Sequence, residues 1–323
     1  MSVRIDENQL IKLLKEKKLS GQKLAEHFKV SRSAVWKKIN KLKSLGYKIE
    51  TDKKGYKIVE TADRLLPYEI IPSLKTKFIG KNYIYYEVID STNIQAKREE
   101  YEDGTVIFAD LQTSGKGRKG RKWKSHRSLG LYFTVILKPN IEVKYLPYFS
   151  LLFNYSVFKV LKKQVKGDLK IKWPNDIYLN GKKIAGFLIE SSIENNVISK
   201  LIVGIGINVN QEMQDLDDDI KELATSLRIE EGKVFDRKKL LLKILKQIEK
   251  DYTNFLKEKF LNTKELEKYL LWLGQDVIIL EEEKVLLSGR LIGLNEDGSL
   301  KIESKDKVNA IYVGDLSVRS FSK

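Results

Sequence analysis

Gln112 to Trp123 reads QTSGKGRKGRKW. Three glycines are threaded between Lys116, Arg118, Lys119, Arg121 and Lys122, directly after a strand-like run, and an indole ends the segment. Glycines let a backbone wrap close to a ligand, and the cations neutralise phosphates or a developing anion. Trp123 is suited to stack on a planar ring. The pattern is neither GxxxxGK[ST] nor a strand–GxGxxG–helix unit. A solvated basic loop or a nucleic-acid tail is the competing reading.

Three further segments carry polar groups at strand ends. In KWPNDIYLNGKKIAG, Lys172 to Gly186, Trp173-Pro174 makes a rigid corner that aims Asn175 and Asp176 into a cleft. The chain turns at Asn180-Gly181 and returns Lys183 among Ile184, Ala185 and Gly186, where it would be partly desolvated. An exposed, inert lysine is the alternative. VGIGINVN places Gly204 and Gly206 inside a strand, marking either close approach of a ligand or a bulged core strand, with Asn208 beside them. DSTN, Asp90 to Asn93, ends a strand and starts a helix, and by itself it reads as an N-cap.

Composition narrows the chemistry. With no cysteine, thiolate nucleophiles, disulfides and Cys–metal sites are excluded. With only His27 and His126, a His-rich zinc site is excluded and no metal-ligand set is assigned. The formal charge is +16, which favours polyanionic or phosphorylated partners. Residues 1–60 hold 16 Lys and Arg against 7 Asp and Glu, a net +9 in the first fifth of the chain. No apolar run has membrane-span length and MSVRIDENQL has no signal-peptide core, so no membrane partner and a cytoplasmic location are expected.

The elements that must position these groups follow from periodicity. Strands are expected at 83–89, 105–112, 131–137, 182–190 and 201–210, and helices at 145–163 and 236–260, giving an α/β domain. Ahead of it, Leu10, Leu13 and Leu14, then Leu24, Ala25 and Phe28, then Val35, Ile39, Leu42 and Leu45 mark three amphipathic helices. Ser31 caps the third, Gly46 closes it, and YKIETDKKGYKIV forms a two-stranded wing. This is the winged helix-turn-helix pattern. Ser31, Arg32, Ser33, Trp36 and Lys37 would read DNA from the third helix, and Lys53 and Lys54 of the wing would meet phosphates. A dimerisation module with a solvated basic face competes, as does a partly buried Trp36. RLLPYEIIP, residues 64–72, is expected to connect into the next domain. Residues 273–323 read as short strands with turns at Glu282, Asn295 and Asp297–Gly298, fitting a small SH3-like β-barrel.

GKGRKGRKW, KWPNDIYLNGKKIAG, GIGIN and STN, in this order behind a winged helix, closely resemble the biotin–protein ligase family of BirA type. The resemblance covers essentially the whole chain. It implies an α+β multidomain protein. Residues 1–65 would be the winged helix-turn-helix, 66–272 a central α/β ligase domain of class II synthetase and biotin-ligase type, and 273–323 the SH3-like β-barrel. It implies an ATP-dependent ligase that forms biotinyl-5′-AMP and transfers biotin to a lysine of a carboxyl carrier domain of a biotin-dependent carboxylase. Biotin and ATP would be substrates, with Mg²⁺ brought by ATP. It also implies a repressor using the adenylate as corepressor, a homodimer when adenylate-bound, on operator DNA of biotin genes. A ligase whose winged helix has no repressor role, and a lipoate-type ligase, are the alternatives.

The resemblance assigns roles residue by residue. Ser91, Thr92, Asn93, Gln112, Gly115, Lys116, Gly117, Arg118, Lys183, Gly186, Gly204 and Gly206 would bind biotin. Arg118, Arg121, Trp123, Lys172, Asn175, Asp176, Lys183 and Asn208 would hold ATP and the adenylate. Lys183 and Arg118 would be catalytic. One departure stands out: Lys116 occupies a place usually held by Arg. A lysine offers a point charge rather than a bidentate fork, so loop closure and retention of the intermediate would be looser.

Overall fold

The computed structural model describes residues 5–61, 64–218, 220–281, 284–305, 307–312 and 316–320. It divides into two compact units, 1–73 and 74–323.

The first unit holds α1 (Glu7–Glu16), α2 (Gly21–Phe28), α3 (Arg32–Ser44), the hairpin β1 (Lys48–Asp52) and β2 (Gly55–Glu60), and the short α4 (Pro67–Ile70). Asp6, Ser20 and Ser31 cap the three long helices by accepting first-turn backbone N–H bonds. Leu10, Leu14, Leu24, Phe28, Val35, Ile39 and Leu42 are buried, as their helical spacing requires. Gly21 opens α2, and Gly46 follows α3 at φ 96°. The wing's Gly55 has φ 131°, and a Cβ there would lie 2.1 Å from the Leu19 carbonyl oxygen, so only glycine fits.

Residues 66–73 belong to this unit rather than to the next domain, so the division falls at 73 and not 65. The reason is Glu69 on α4. Its buried carboxylate accepts from Lys15 Nζ at 2.7 Å and from the Tyr47 hydroxyl at 2.7 Å, tying the segment to α1 and to the approach to the wing.

In the second unit the order is β3 (Tyr83–Ile89), α5 (Thr92–Arg98), β4 (Val106–Gln112), β5 (Leu131–Leu137), β6 (Ile141–Glu142), α6 (Leu146–Lys162), β7 (Leu169–Lys172), β8 (Asp176–Leu179), β9 (Lys182–Glu194), β10 (Val197–Ile207), α7 (Leu227–Glu231), α8 (Arg237–Glu258), α9 (Thr263–Glu267) and β11–β15. The central sheet runs β3-β4-β5-β10-β9-β8-β7, with β6 on β10. β3 and β4 are parallel, joined through α5, and the other pairs are antiparallel. α6 and α8 pack together through Phe149, Phe153, Tyr252 and Phe255, with ring centroids 5.4–6.3 Å apart.

The last five strands, β11 (Asp276–Glu281), β12 (Lys284–Leu294), β13 (Leu300–Ser304), β14 (Lys307–Ile311) and β15 (Leu316–Ser320), form one antiparallel sheet in the order β14-β13-β12-β11-β15. It meets the central sheet where Trp173 Nε1 donates to the Gly298 carbonyl at 3.0 Å. The turn expected at Glu282 lies outside the described residues.

The entry to β3 is held by one carboxylate. Glu249 of α8 accepts the backbone N–H groups of Lys77, Phe78 and Ile79 at 2.6, 2.9 and 2.9 Å. Glu249→Ala leaves these donors without their partner and is expected to cost about 3 kcal/mol. Urea denaturation checks this, and unchanged stability contradicts it.

Candidate active site

The basic glycine segment is folded, not a tail. Trp123 N donates to Gly115 O at 2.8 Å and Gly117 N to Arg121 O at 2.7 Å, closing a small antiparallel turn around Arg118–Gly120. Lys119 has φ 56° and Gly120 φ 69°, which bends the tip tightly. The turn brings Lys116, Gly117, Arg118 and Trp123 over the middle of the sheet. There Ser91, Thr92, Asn93 and Gln112 enter from α5 and β4, Asn175 and Asp176 from the corner before β8, and Lys183, Gly186, Gly204 and Gly206 from β9 and β10. All of these line one cavity of about 50 Å³.

The three strand glycines serve two different neighbours. Gly186 and Gly206 are opposite each other in register, and a Cβ on them would come within 2.9 and 2.5 Å of the Trp123 indole. Their bareness gives the indole a flat seat. At Gly204 a Cβ would lie 2.2 Å from Asn93 Oδ1, so this glycine admits Asn93 into the sheet. The strand is paired regularly with β5 through both glycines, so it is not a bulged core strand there. Nor is DSTN only an N-cap: the Ser91 side chain makes no capping bond, while Thr92 N donates to Gln112 Oε1 at 2.8 Å.

Lys183 Nζ lies 2.8 Å from Asp176 Oδ1, at ion-pair distance but off hydrogen-bond alignment, and 5.6 Å from the Trp123 ring centre. The side chain is 30% exposed, so it is neither dissolved in solvent nor sealed. Arg118 donates to Asn175 Oδ1 at 2.9 Å, and Asn175 Nδ2 donates to Phe187 O at 2.9 Å. The corner thus ties a cation from the turn to β9.

A second cavity of about 640 Å³ adjoins the first, and Trp123, Asp176 and Lys183 line both. Its walls include Arg121, Lys122, Lys124, His126, Lys172, Tyr178, Asn208, Arg319 and the apolar Leu216, Ile220 and Leu223. Burial pulls the Lys172 ammonium below the ordinary lysine range; the charge of Asp176 opposes this, and Lys183, Arg319 and Arg121 add to it. Lys172 also sits 5.0 Å from the Trp272 ring and 5.3 Å from the Tyr178 ring. Cations crowded in this way favour an anion between them.

Two expected contributors are placed differently. Gly115 lines neither cavity; a Cβ there would lie 2.5 Å from the Trp123 carbonyl oxygen, so it serves the turn's closure. Asn208 reaches the second cavity, but its amide donates to Thr225 O and accepts from Gln211 Nε2, which leaves it holding the chain that covers the site. Residues not singled out from the sequence include Phe187, Leu188 and Ile205 in the first cavity and Arg319 in the second. The apolar three lie on strands already recognised. Arg319 stands alone on a distant strand, where no local pattern marks it.

In the first unit Ser31, Arg32, Ser33, Trp36 and Lys37 are exposed on α3, opposite the buried Val35 and Ile39, and Lys53 and Lys54 are exposed at the wing turn. Trp36 is 57% exposed and is not a core residue. Ser31 also spends its hydroxyl on capping Ala34 N. Arg32, Ser33, Trp36 and Lys53 line one recess between helix and wing.

Residues 85–208 match the biotin/lipoate A/B protein ligase family, and residues 6–57 match an HTH domain. The bifunctional ligase/repressor BirA of Bacillus subtilis is 35% identical over 93% of this chain and 94% of its own length. The Escherichia coli protein of that name is 28% identical over 94% of each. Among solved structures, a biotin protein ligase from Aquifex aeolicus in complex with biotin and ATP is similar at 38% identity with a TM-score of 0.66, covering 74% of this chain and 99% of that one.

Two outcomes follow from the geometry. Gly206→Ala puts a methyl where the indole rests and should displace Trp123. The change should appear as a shift in tryptophan emission that vanishes in a Trp123→Phe background; identical emission contradicts it. His126 is held below the ordinary histidine range chiefly by burial and next by Lys124, so the folded state disfavours its protonation. Its contribution to stability is present above the unfolded pKa and is lost as pH falls below it, because the unfolded chain then binds the proton more readily. His126→Gln should flatten the stability profile between about pH 7 and pH 5; an unchanged slope contradicts this.

Proposed function

The chain belongs to the BirA family of bifunctional biotin–protein ligases and repressors, and from that premise we propose that it joins biotin to an acceptor lysine through biotinyl-5′-AMP and represses biotin genes with that adenylate as corepressor. The observation that carries the reading is the shared wall: Lys183, Asp176 and Trp123 border both a narrow glycine-lined cavity and a wide cationic one. A ligand made by joining the contents of the two would have its junction at Lys183.

In the first step a biotin carboxylate oxygen attacks the α-phosphorus of MgATP. The oxygen–phosphorus bond forms as the bond to pyrophosphate breaks. Both reactants are anions, so their approach is disfavoured unless the repulsion is neutralised. Lys183 and Arg118 do this at the reacting oxygens, and the closed turn excludes water and strengthens their effect. Arg121 and Lys172 hold the phosphates, and Trp123 the adenine. Ser91, Thr92, Asn93, Gln112 and the glycine-flanked turn hold biotin. In the second step the acceptor lysine's amine attacks the anhydride carbonyl, the amide forms and AMP leaves. Asp176 beside Lys183 is the group placed to take the proton of that amine. Lys116 closes the turn as a point charge, so the intermediate escapes faster than from a member with arginine there.

The acceptor is the carboxyl carrier domain of a biotin-dependent carboxylase, encountered in the cytoplasm. Residues 1–73 read the operator, 74–272 make the adenylate, and 273–323 support the nucleotide side. Adenylate binding orders the turn and favours a homodimer whose two α3 helices reach two half-sites.

Biotin-dependent ATP–pyrophosphate exchange tests the enzyme. It should be robust in the native protein and fall by about 10²-fold or more in Lys183→Ala. Exchange with lipoate in place of biotin would instead support a lipoate-type ligase, and a fully active variant would remove Lys183 from the mechanism. Binding to a biotin-operator fragment should tighten when biotin and ATP are added together. Equal affinity with and without them would leave a ligase whose winged helix does not repress.

A further inference from the structure

Between the central sheet and the C-terminal sheet the chain reverses at a residue that does not suit a reversal. Leu271 N donates to Ile171 O of β7 at 2.8 Å, and Gly274 N donates to Leu291 O of β12 at 2.7 Å. These bonds fix the chain on either side of Trp272, which has φ 67°. That is the left-handed region, which glycine enters freely and asparagine readily, and in which a bulky side chain is disfavoured. Gly274, two residues on, has φ 78° and is the residue type such a turn ordinarily takes. The turn by itself therefore gives no reason for an indole.

What the indole meets is a cation. Lys172 ends β7, one residue past the Ile171 that anchors the turn, and its Nζ lies over the Trp272 ring, 5.0 Å from the ring centre. The same ammonium lies over the Tyr178 ring of β8 at 5.3 Å and donates to the Tyr178 hydroxyl oxygen at 3.3 Å. An aromatic face attracts a positive charge, and more so as water is withdrawn from it.

The surroundings make that attraction necessary. The charged groups that face Lys172 are Asp176 on β8, Lys183 on β9, Arg121 on the glycine turn and Arg319 on β15. Asp176 is shared with Lys183, 2.8 Å away. Burial, and after it the three cations, favour the neutral amine. A neutral amine would give a phosphate no counter-charge. The two rings favour the charged form and, being rigid, hold it in one place.

We propose that Trp272 is a positioning residue for the nucleotide: its ring keeps the Lys172 ammonium charged and aimed into the wide cavity, where it meets the phosphates of ATP. The inference rests on the ligase reading above, in which Lys172 holds those phosphates. That role accounts for a tryptophan in a conformation that glycine or asparagine would adopt without strain.

The test is steady-state pyrophosphate exchange in the full chain, with ATP and biotin varied separately, for the native protein, Trp272→Asn and Trp272→Phe, and for Trp272→Asn in a Lys172→Met background. Asparagine tolerates the left-handed backbone and removes the ring. The KM for ATP should rise about 5-fold to 30-fold in Trp272→Asn, while the KM for biotin and kcat stay within about 2-fold. The loss of ATP affinity with rising pH should begin about one unit lower than in the native protein, because the charged amine has lost a partner. Trp272→Phe keeps an aromatic face and should stay within about 3-fold of native. In the Lys172→Met background the asparagine substitution should add less than about 2-fold, because the two residues act as one unit. A merely structural role would move both KM values together, leave the pH profile in place and persist in the methionine background, and that result overturns the proposal. If Trp272→Asn does not fold, as judged by thermal denaturation, Trp272→Gly is read in its place with the same expected split. An unchanged ATP KM in a folded variant also overturns the proposal. Absence of biotin-dependent exchange in the native protein would instead overturn the ligase reading beneath it.

Discussion

Two anions do not approach one another in water without help, and the whole second unit answers that constraint. The solution proposed for it is a lysine at the junction of two cavities. Lys183 is half-desolvated by its seat on β9, balanced by Asp176, and faced by an arginine on a turn that folds down over it. The pairing with Asp176 matters as much as the charge. A lysine partly withdrawn from water beside Lys172, Arg121 and Arg319 would be costly without a carboxylate near it.

The sheet supplies what the charges cannot, which is fixed distance. Gly186 on β9 and Gly204 and Gly206 on β10 are set by regular antiparallel register, and one slipped residue would turn them to the other face, while an irregularity in the β8–β9 pairing separates Lys183 from Gly186. The parallel pair β3–β4 is joined through the helix α5, whose Asn93 meets the bare Gly204. The C-terminal sheet is keyed to the WPND corner by the Trp173–Gly298 bond, and its Arg319 lines the wider cavity. Polar groups that touch the reacting centre are few; the rest hold those few in place.

Much of this was legible in the residues. The helical spacing from Leu10 to Leu42 and the turn at Lys53-Lys54-Gly55 marked the winged helix, because caps and glycine turns are local signals. The glycine-and-cation run and the WPND–KKIAG pair marked the site, because such groups are rarely gathered without use. What stayed hidden was non-local. Trp272 reads as one more apolar residue of a connection until the fold brings its ring 5.0 Å from Lys172. Arg319 is a lone cation on the last strand. The connection at 64–72 looked like a linker until Glu69 was found buried against Lys15 and Tyr47. Gly115 lies in the closure of the turn rather than in a cavity wall, and Asn208 lines the wider cavity while its amide also holds the covering chain.

The central claim is that the glycine-lined and cationic cavities form one site whose contents meet at Lys183. Calorimetric titration with a non-hydrolysable biotinyl-adenylate analogue measures this directly, with the protein free, saturated with biotin, or saturated with ATP. The account predicts one analogue bound per chain, displacing biotin and ATP alike, with tighter affinity than either. An analogue that binds while leaving biotin or ATP in place would separate the two cavities and contradict it.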